Sequence, residues 1–240
     1  MRTQRIHLHH LLLSLFLFAA AFSPVATAED DATGPAPDDG DTEFIRSSCN
    51  TTLYPDVCFT SLSRYANAVQ QNPGQLARVA IGVSLSKAHR TASYISNLTR
   101  DADYGTSGSR AAMALHDCFS NLGDAVDEIR GSLKQMRQIG AAGEGSGSFL
   151  FQMSNVQTWM SAALTDEETC TDGFQDVAEC PVKTDVCNRV TNVKKFTSNA
   201  LALVNSYASK GTPWTLSTCH ITHRLILITF HIPKKMLIKE

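Results

Sequence analysis

The spacing of apolar residues between positions 111 and 136 is the feature of this 240-residue chain that most restricts its fold. These residues recur at intervals of four or three: Ala111, Leu115, Cys118, Leu122, Ala125, Ile129, Leu133 and Met136. That spacing places them on one narrow stripe of a helix. The pattern therefore predicts a long amphipathic helix with one buried face.

Apolar residues toward the other end of the chain follow the same period and predict a second long helix. Its stripe comprises Val186, Val190, Val193, Phe196 or Thr197, Ala200, Val204 and Tyr207. A third helix is predicted to begin with Asn72 as its cap and Pro73 at the first helical position, where a missing N–H costs nothing. It should run to about Leu98.

A fourth helix is predicted from about Phe149 to Ala163. A cap at Thr165 or Asp166 would then start another short helix, whose acidic first turn suits the helix dipole. Trp159 and the methionines fall on the apolar period, which favours a place in the core over a platform for a sugar or cofactor.

The segment from Phe44 to about Asn67 is also predicted to be helical, with a break between Asn50 and Pro55. No segment alternates strictly enough to predict a strand. The expected fold class is therefore all-α, an antiparallel helical bundle with short connections.

Two segments, residues 101–108 and 140–148, are predicted to be loops from their composition. The second contains four glycines, as phosphate-binding loops and nucleophile elbows do. It lacks the Lys-Ser/Thr of the former and the strand-turn-helix context of the latter. A plain flexible connector is the favoured interpretation.

Three further segments lie outside the predicted bundle. Residues 1–28 are predicted to be a secretory signal peptide, since two arginines precede an apolar run that ends before Ala26-Thr27-Ala28. Residues 29–43 are acidic and rich in Gly and Pro, and are predicted to form a flexible linker. Residues 211–240 lose the helical period and form an atypical tail, for which a splicing or gene-model read-through is the hypothesis. Neither apolar run is long enough to span a membrane.

The charges nearly balance, with 21 Lys and Arg against 23 Asp and Glu. No strong field therefore indicates a nucleic acid or another highly charged partner. No convergent set of acids, bases and nucleophile can be nominated either, so the sequence predicts no enzyme active site and no small-molecule substrate. A protein that acts through its surface is the favoured class.

Seven cysteines are an odd number, so at least one is free or pairs with another chain. In a secreted protein the others are expected to form disulfides. No C-x-x-C spacing occurs, and no His lies within zinc-site range of a Cys pair, so neither a metal nor a cofactor is expected.

Four motifs together resemble the plant invertase and pectin methylesterase inhibitor family. They are the segments 47–58, 114–127, 156–170 and 197–205, in that order along the chain. The resemblance covers residues 44–210. It implies an up-down-up-down four-helix bundle preceded by a small helical hairpin.

The resemblance also implies two disulfides, Cys49 with Cys58 and Cys118 with Cys170. Cys180 and Cys187 have no counterpart in the family pattern. Either an extra local bridge or two free thiols is expected there, and the state of Cys219 stays open.

The function implied is that of a secreted inhibitor in the plant cell wall, the apoplast, and not of an enzyme. It would bind a pectin methylesterase, in a 1:1 complex, and block its pectin-binding cleft. The alternative target is a cell-wall or vacuolar invertase, whose inhibitors carry a Pro-Lys-Phe loop. This chain has no such tripeptide, and Pro181-Val-Lys183 is the nearest segment.

Two other interpretations remain, a non-inhibitory secreted binding module and the pro-region of a pectin methylesterase precursor. The second is disfavoured, since it requires a catalytic domain after the bundle. The solvent faces of residues 109–138 and 149–164 are the candidate contact surfaces. Asn50 and Asn97 lie in sequons and are candidate N-glycosylation sites.

Overall fold

The computed structural model of the protein describes residues 38–105, 109–142 and 147–210. The predicted signal peptide, residues 29–37 of the predicted linker, the predicted tail and Cys219 lie outside these residues. So do parts of the two predicted loops.

The described chain consists of helices. A hairpin contains α1 (Asp39–Cys49), α2 (Pro55–Leu62), a 3₁₀ turn (Ser63–Tyr65) and a short α3 (Ala66–Val69); the bundle contains α4 (Pro73–Gly105), α5 (Arg110–Ala142), α6 (Gly147–Asp172) and α7 (Pro181–Lys210). Each long helix contacts the one before it and the one after it, and α4 also contacts α7. With short connections, that ring is an up-down-up-down four-helix bundle. The predicted all-α class and bundle are confirmed.

The signals at the helix starts act as the sequence predicts. Asn72 Oδ1 accepts a hydrogen bond from the backbone N–H of Gln75 (2.9 Å), just ahead of Pro73. α4 includes residues up to Gly105, past the predicted end near Leu98, because the residues after Leu98 can be accommodated in a helix.

The linker prediction is wrong for residues 39–43, which belong to α1. Asp38 Oδ1 accepts from the backbone N–H of Gly40 (3.3 Å). Asp39 and Asp41 lie in the first turn, where the helix dipole stabilises negative charge. The acids that indicate disorder by composition instead begin a helix.

The predicted cap at Thr165 or Asp166 is also wrong, because α6 is continuous from Gly147 to Asp172. The hydroxyl of Thr165 donates to the carbonyl of Ser161 one turn earlier (3.1 Å) rather than capping a new helix. Ala163, Glu167 and Cys170 then extend the buried side of α6.

The core follows the predicted stripes. On α5, Cys118, Leu122, Ala125 and Ile129 have no solvent exposure. On α7, where the sequence left two choices, Thr197 is buried and Phe196 is only partly buried.

The described residues contain two disulfides. Cys49 and Cys58 close the break between α1 and α2, and Cys118 and Cys170 join α5 to α6. Cys180 and Cys187 are free thiols, so the extra bridge is absent. Cys180 directly precedes α7, and seven residues of helix separate the two Cα atoms by about 10 Å along the axis, beyond disulfide reach.

One buried side chain of α7, which the sequence analysis did not single out, forms hydrogen bonds to the hairpin. The Asn199 amide accepts a hydrogen bond from the N–H of Tyr54 (3.1 Å) and donates one to its carbonyl (2.9 Å). Asn199 is 3% exposed. It therefore satisfies both backbone groups of the residue that precedes α2.

A buried polar network joins three helices of the bundle. Thr197 Oγ1 on α7 donates to Glu167 Oε1 on α6 (2.7 Å) and lies 2.8 Å from Ser84 Oγ on α4. All three residues are buried. Burial raises the pKa of Glu167 to about 8, although the Thr197 hydroxyl and the Lys194 ammonium oppose the shift.

Candidate functional site

Large apolar side chains exposed to solvent concentrate on α5 and α6. Among the described residues six are exposed, and five of them belong to these two helices: Met113, Phe119, Leu150, Phe151 and Trp159. Single exposed apolar residues are ordinary, but a group on one pair of helices indicates an interaction surface. All five side chains lie within residues 109–138 and 149–164, the predicted contact surfaces.

Two of these side chains share one side of α6. Phe151 and Trp159 are eight residues apart, which helical geometry converts to about 80° around the axis and about 12 Å along it. They are 68% and 37% exposed. The helix therefore presents two aromatic rings to solvent along one face.

The core position predicted for Trp159 is wrong, because Met160 occupies that place with no exposure. The indole instead lies against α5 at Gly131, where an added Cβ would come within 3.3 Å of Trp159 Cε3. The glycine makes room for the ring at the outer junction of the two helices. Of the methionines, Met136 and Met153 are buried as predicted, whereas Met113 is 55% exposed.

Three carboxylates lie where α5 packs on α6, the junction at which the indole also lies. The carboxyl groups of Glu128 on α5 and Asp166 on α6 interact with each other, and Asp124 lies close enough to repel both. Asp166 is seven residues from Trp159, so both lie on the same side of α6. We call Asp124, Glu128, Gly131, Trp159 and Asp166 the α5–α6 seam.

The carboxylates of the seam hold a proton more tightly than isolated acids do. Burial, followed by the charge of Asp166, raises the pKa of Glu128 to about 7. Burial also raises the pKa of Asp166, against the effect of its hydrogen bond with Glu128. The Glu128–Asp166 pair therefore carries at least one proton under acidic conditions.

The seam has the composition of a protein-binding surface. An exposed indole beside hydrogen-bonding carboxylates can fill an apolar pocket and meet donors on a partner. Within residues 38–105, 109–142 and 147–210, no group of three or more His, Cys, Asp or Glu could hold a metal ion. No helix in those ranges is long and apolar enough to cross a membrane.

Both sequon asparagines are exposed at the surface. Asn97 lies in a groove of about 610 Å³ between α4 and α5, beside Phe119 and charged residues of both signs. Asn50 follows the last residue of α1. Their glycosylation stays a prediction.

Lys183, the lysine of Pro181-Val-Lys183, is held against the connection between α6 and α7. Its Nζ donates to the carbonyl of Val177 (2.8 Å) and forms an ion pair with Glu179 (2.8 Å). Its side chain is 18% exposed. A lysine bound in this way is not available to reach into a partner.

Comparisons with known proteins agree with the fold and cover most of the chain. A family model described as plant invertase/pectin methylesterase inhibitor matches residues 43–203. "Pectinesterase inhibitor 11" of Arabidopsis thaliana is 37% identical over 201 residues, 83% of this chain and 98% of that protein. "Pectinesterase inhibitor 9" of the same plant is 43% identical over 170 residues, 70% of this chain and 82% of that protein.

A solved structure supports the fold alone. A crystal structure of a mutant form of a pectin methylesterase inhibitor from Arabidopsis superposes with a TM-score of 0.51 at 20% identity. The match covers 65% of this chain and 92% of that one. At this identity the likeness is one of backbone architecture.

Proposed function

Since the chain belongs to the plant invertase/pectin methylesterase inhibitor family, we propose that it is a secreted inhibitor that binds a plant pectin methylesterase and blocks its pectin-binding cleft. The observation that carries this proposal is the 37% identity with "Pectinesterase inhibitor 11" along 98% of that protein. The family consists of proteins that inhibit enzymes and are not enzymes themselves.

The α5–α6 seam is the surface through which the inhibitor would act. Trp159 is the side chain of the seam that best fits a binding hot spot, because it is aromatic, partly exposed and fixed against α5. The Cys118–Cys170 disulfide lies one helical turn from Asp166 and holds the two helices together. A surface fixed in this way loses little conformational entropy on binding.

The same contacts favour a methylesterase over an invertase as the target. The Pro-Lys-Phe loop of invertase inhibitors is absent from the sequence. Lys183, which lies in the most similar segment, is committed to Val177 and Glu179. The chain therefore offers no free lysine and aromatic pair at that place.

The proposal includes secretion to the cell wall, a 1:1 complex, and glycans at Asn50 and Asn97. Secretion is supported by the signal-like pattern of residues 1–28 and by two disulfides, which persist in oxidising compartments. The glycans are supported by the exposure of both asparagines.

The test is a titration of the full, oxidised chain into two assays run in parallel, one with a plant pectin methylesterase and one with a cell-wall invertase. We expect methylesterase activity to fall at near-equimolar inhibitor while invertase activity is unchanged. Loss of invertase activity alone would show that the target is an invertase and not a pectin methylesterase. A folded helical chain that affects neither enzyme would refute inhibition and leave a binding module.

A further inference from the structure

One part of the chain carries positive charge without any negative charge. No Asp or Glu occurs between Asp56 and Asp101, whereas five cations do: Arg64, Arg78, Lys87, Arg90 and Arg100. The net charge of the whole protein, −2, does not reveal this local excess of positive charge. Whether these cations form a binding site depends on where they lie in the fold.

Three of these cations line one groove. The groove has a volume of about 350 Å³ and lies between the 3₁₀ turn, which provides Arg64 and Tyr65, and one face of α4, which provides Lys87 and Arg90. Its volume is within the range of about 300–1,000 Å³ that small-molecule sites occupy. Gly82 forms part of the wall, and a Cβ added there would meet no atom within 4 Å.

Neutral groups hold the three cations in place. Arg64 Nη2 donates to the hydroxyl of Tyr65 (3.0 Å), and Lys87 Nζ lies 4.9 Å from the ring centroid of Phe196. Arg90 donates from Nε and Nη2 to the carbonyl and hydroxyl of Ser86 (3.2 and 2.8 Å).

No carboxylate of the described chain forms an ion pair with these three side chains. The cations that do form ion pairs lie elsewhere: Arg46, Arg110, Arg130, Lys183, Arg189 and Lys194. The groove therefore presents three positioned and uncompensated positive charges, which is the arrangement that binds an anionic ligand.

We propose that this groove binds a polyuronate, the de-esterified form of pectin, through its carboxylates. Arginine recognises carboxylates through paired N–H donors, so Arg64 and Arg90 suit acidic groups repeated along a sugar chain. The ring of Tyr65 lines the groove beside them, with the Arg64 guanidinium over it at 4.9 Å from the ring centroid. The choice of polyuronate rests on the proposed function, because hydrolysis of a pectin methyl ester by water yields a carboxylate and methanol.

Such a site gives the inhibitor a second attachment, separate from the α5–α6 seam. The protein would bind weakly to pectin that has not been processed and more tightly where the target enzyme has already acted. The inhibitor would then accumulate on the product of the reaction that it stops.

The experiment measures binding of the full chain to an oligogalacturonate, without any enzyme, by isothermal titration calorimetry. We expect the fully methyl-esterified form of the same oligosaccharide to bind at least about tenfold more weakly, and added salt to weaken binding of the acidic form. The triple variant Arg64→Gln, Lys87→Gln, Arg90→Gln should raise the dissociation constant about tenfold or more.

A matched pair of glycine variants separates the groove from general loss of structure. Gly82→Leu fills this groove, and Gly123→Leu fills the mixed-charge groove between α4 and α5, where an added Cβ likewise meets nothing. Only the first should weaken oligogalacturonate binding, while circular dichroism shows both folded.

Three results would overturn the proposal. They are equal binding of the acidic and esterified sugars, parental binding by both the triple variant and Gly82→Leu, and tighter binding of a sulfated oligosaccharide of the same length. Inhibition of methylesterase is measured separately on the same variants. A chain that binds oligogalacturonate but inhibits no enzyme would refute the proposed function, while the proposal that the groove binds polyuronate would stand.

Discussion

Trp159 is the residue on which the proposed interface most depends. Truncating a tryptophan at the centre of an interface costs about 2 kcal/mol or more, so Trp159→Ala should raise the inhibition constant for pectin methylesterase about 30-fold. Phe119→Ala is the matched control, because Phe119 is similarly exposed (39%) but lies in the α4–α5 groove. Equal effects of the two variants would remove the seam as the docking surface.

Glu167 shows how a single residue can make stability depend on pH. Its pKa is about 8 in the folded protein and near the ordinary 4.5 when the chain is unfolded. Between these values the folded state holds a proton that the unfolded state has released. The contribution to the unfolding free energy is therefore complete below about pH 4.5 and is lost as the pH rises to about 8.

Glu167→Gln should remove this part of the pH dependence, since glutamine can still accept from Thr197 but does not titrate. The measurement is the urea midpoint at about pH 5 and about pH 8, where we expect the variant to lose less stability than the parent. Glu168→Gln, at an exposed neighbour paired with Lys194, should keep the parental slope. Parallel curves for parent and Glu167→Gln would contradict the prediction.

Two glycines of α4 should respond in opposite ways to the addition of a Cβ atom. A Cβ at Gly74 would lie 2.9 Å from the ring of Tyr207, which contacts Phe149 edge to face at 5.5 Å. Gly74→Ala should therefore destabilise the protein by about 1–3 kcal/mol through overpacking. Gly82→Ala should stabilise it by up to about 1 kcal/mol, because the Cβ meets nothing. The measurement is urea unfolding of both variants. A Gly74→Ala variant as stable as the parent would show that the Tyr207 ring can move aside.

The attachment of the hairpin to α7 depends on Asn199. Asn199→Ala leaves the partly buried backbone N–H of Tyr54 without a partner, while the Tyr54 carbonyl keeps only its bond from the N–H of Cys58 (2.9 Å). We therefore expect a loss of about 1–2 kcal/mol and faster proteolysis between α1 and α2. Asn205→Ala is the control, since Asn205 Oδ1 accepts a hydrogen bond from Gln157 at the exposed surface and not from the hairpin. A proteolysis rate unchanged from the parent would mean that other contacts hold the hairpin.

The long helices could be predicted because each buries one stripe, and burial repeats with the helical period. The ends of the helices were harder to predict, because the same residue types occur both outside helices and within them. Asp39 and Asp41 indicate a linker by composition but begin α1, and Thr165 indicates a cap but bonds backward within α6. Which of the two roles such a residue takes depends on packing against residues that are distant in the sequence.

The candidate site could be predicted only as a choice of helix faces. Trp159 fits the apolar period, but Met160 takes the core position and the indole lies against Gly131 on another helix, a contact that the sequence does not reveal. The basic groove escaped prediction for a similar reason, since Arg64 and Arg90 are 26 positions apart and meet only after the hairpin folds onto α4.

For the whole molecule, the two disulfides should contribute unequally to stability. Loop-closure entropy assigns about 4 kcal/mol to Cys118–Cys170, which closes 52 residues, and about 2.6 kcal/mol to Cys49–Cys58, which closes 9. Paired Cys→Ala variants of each bridge, compared by urea unfolding, should keep this order. The reverse order would mean that the hairpin contributes more to the fold than its size indicates.

The hydrogen bonds between Tyr54 and Asn199 also have a consequence for the order in which the protein folds during synthesis. The two residues are 145 positions apart, and a ribosome adds about 5–20 residues per second. The hairpin is therefore complete on the order of ten seconds before its docking site exists, and the helix that closes the ring is the last to emerge. The short Cys49–Cys58 loop can oxidise in that interval, but a nascent chain interrupted before α7 lacks the Asn199 amide that pairs with the backbone of Tyr54.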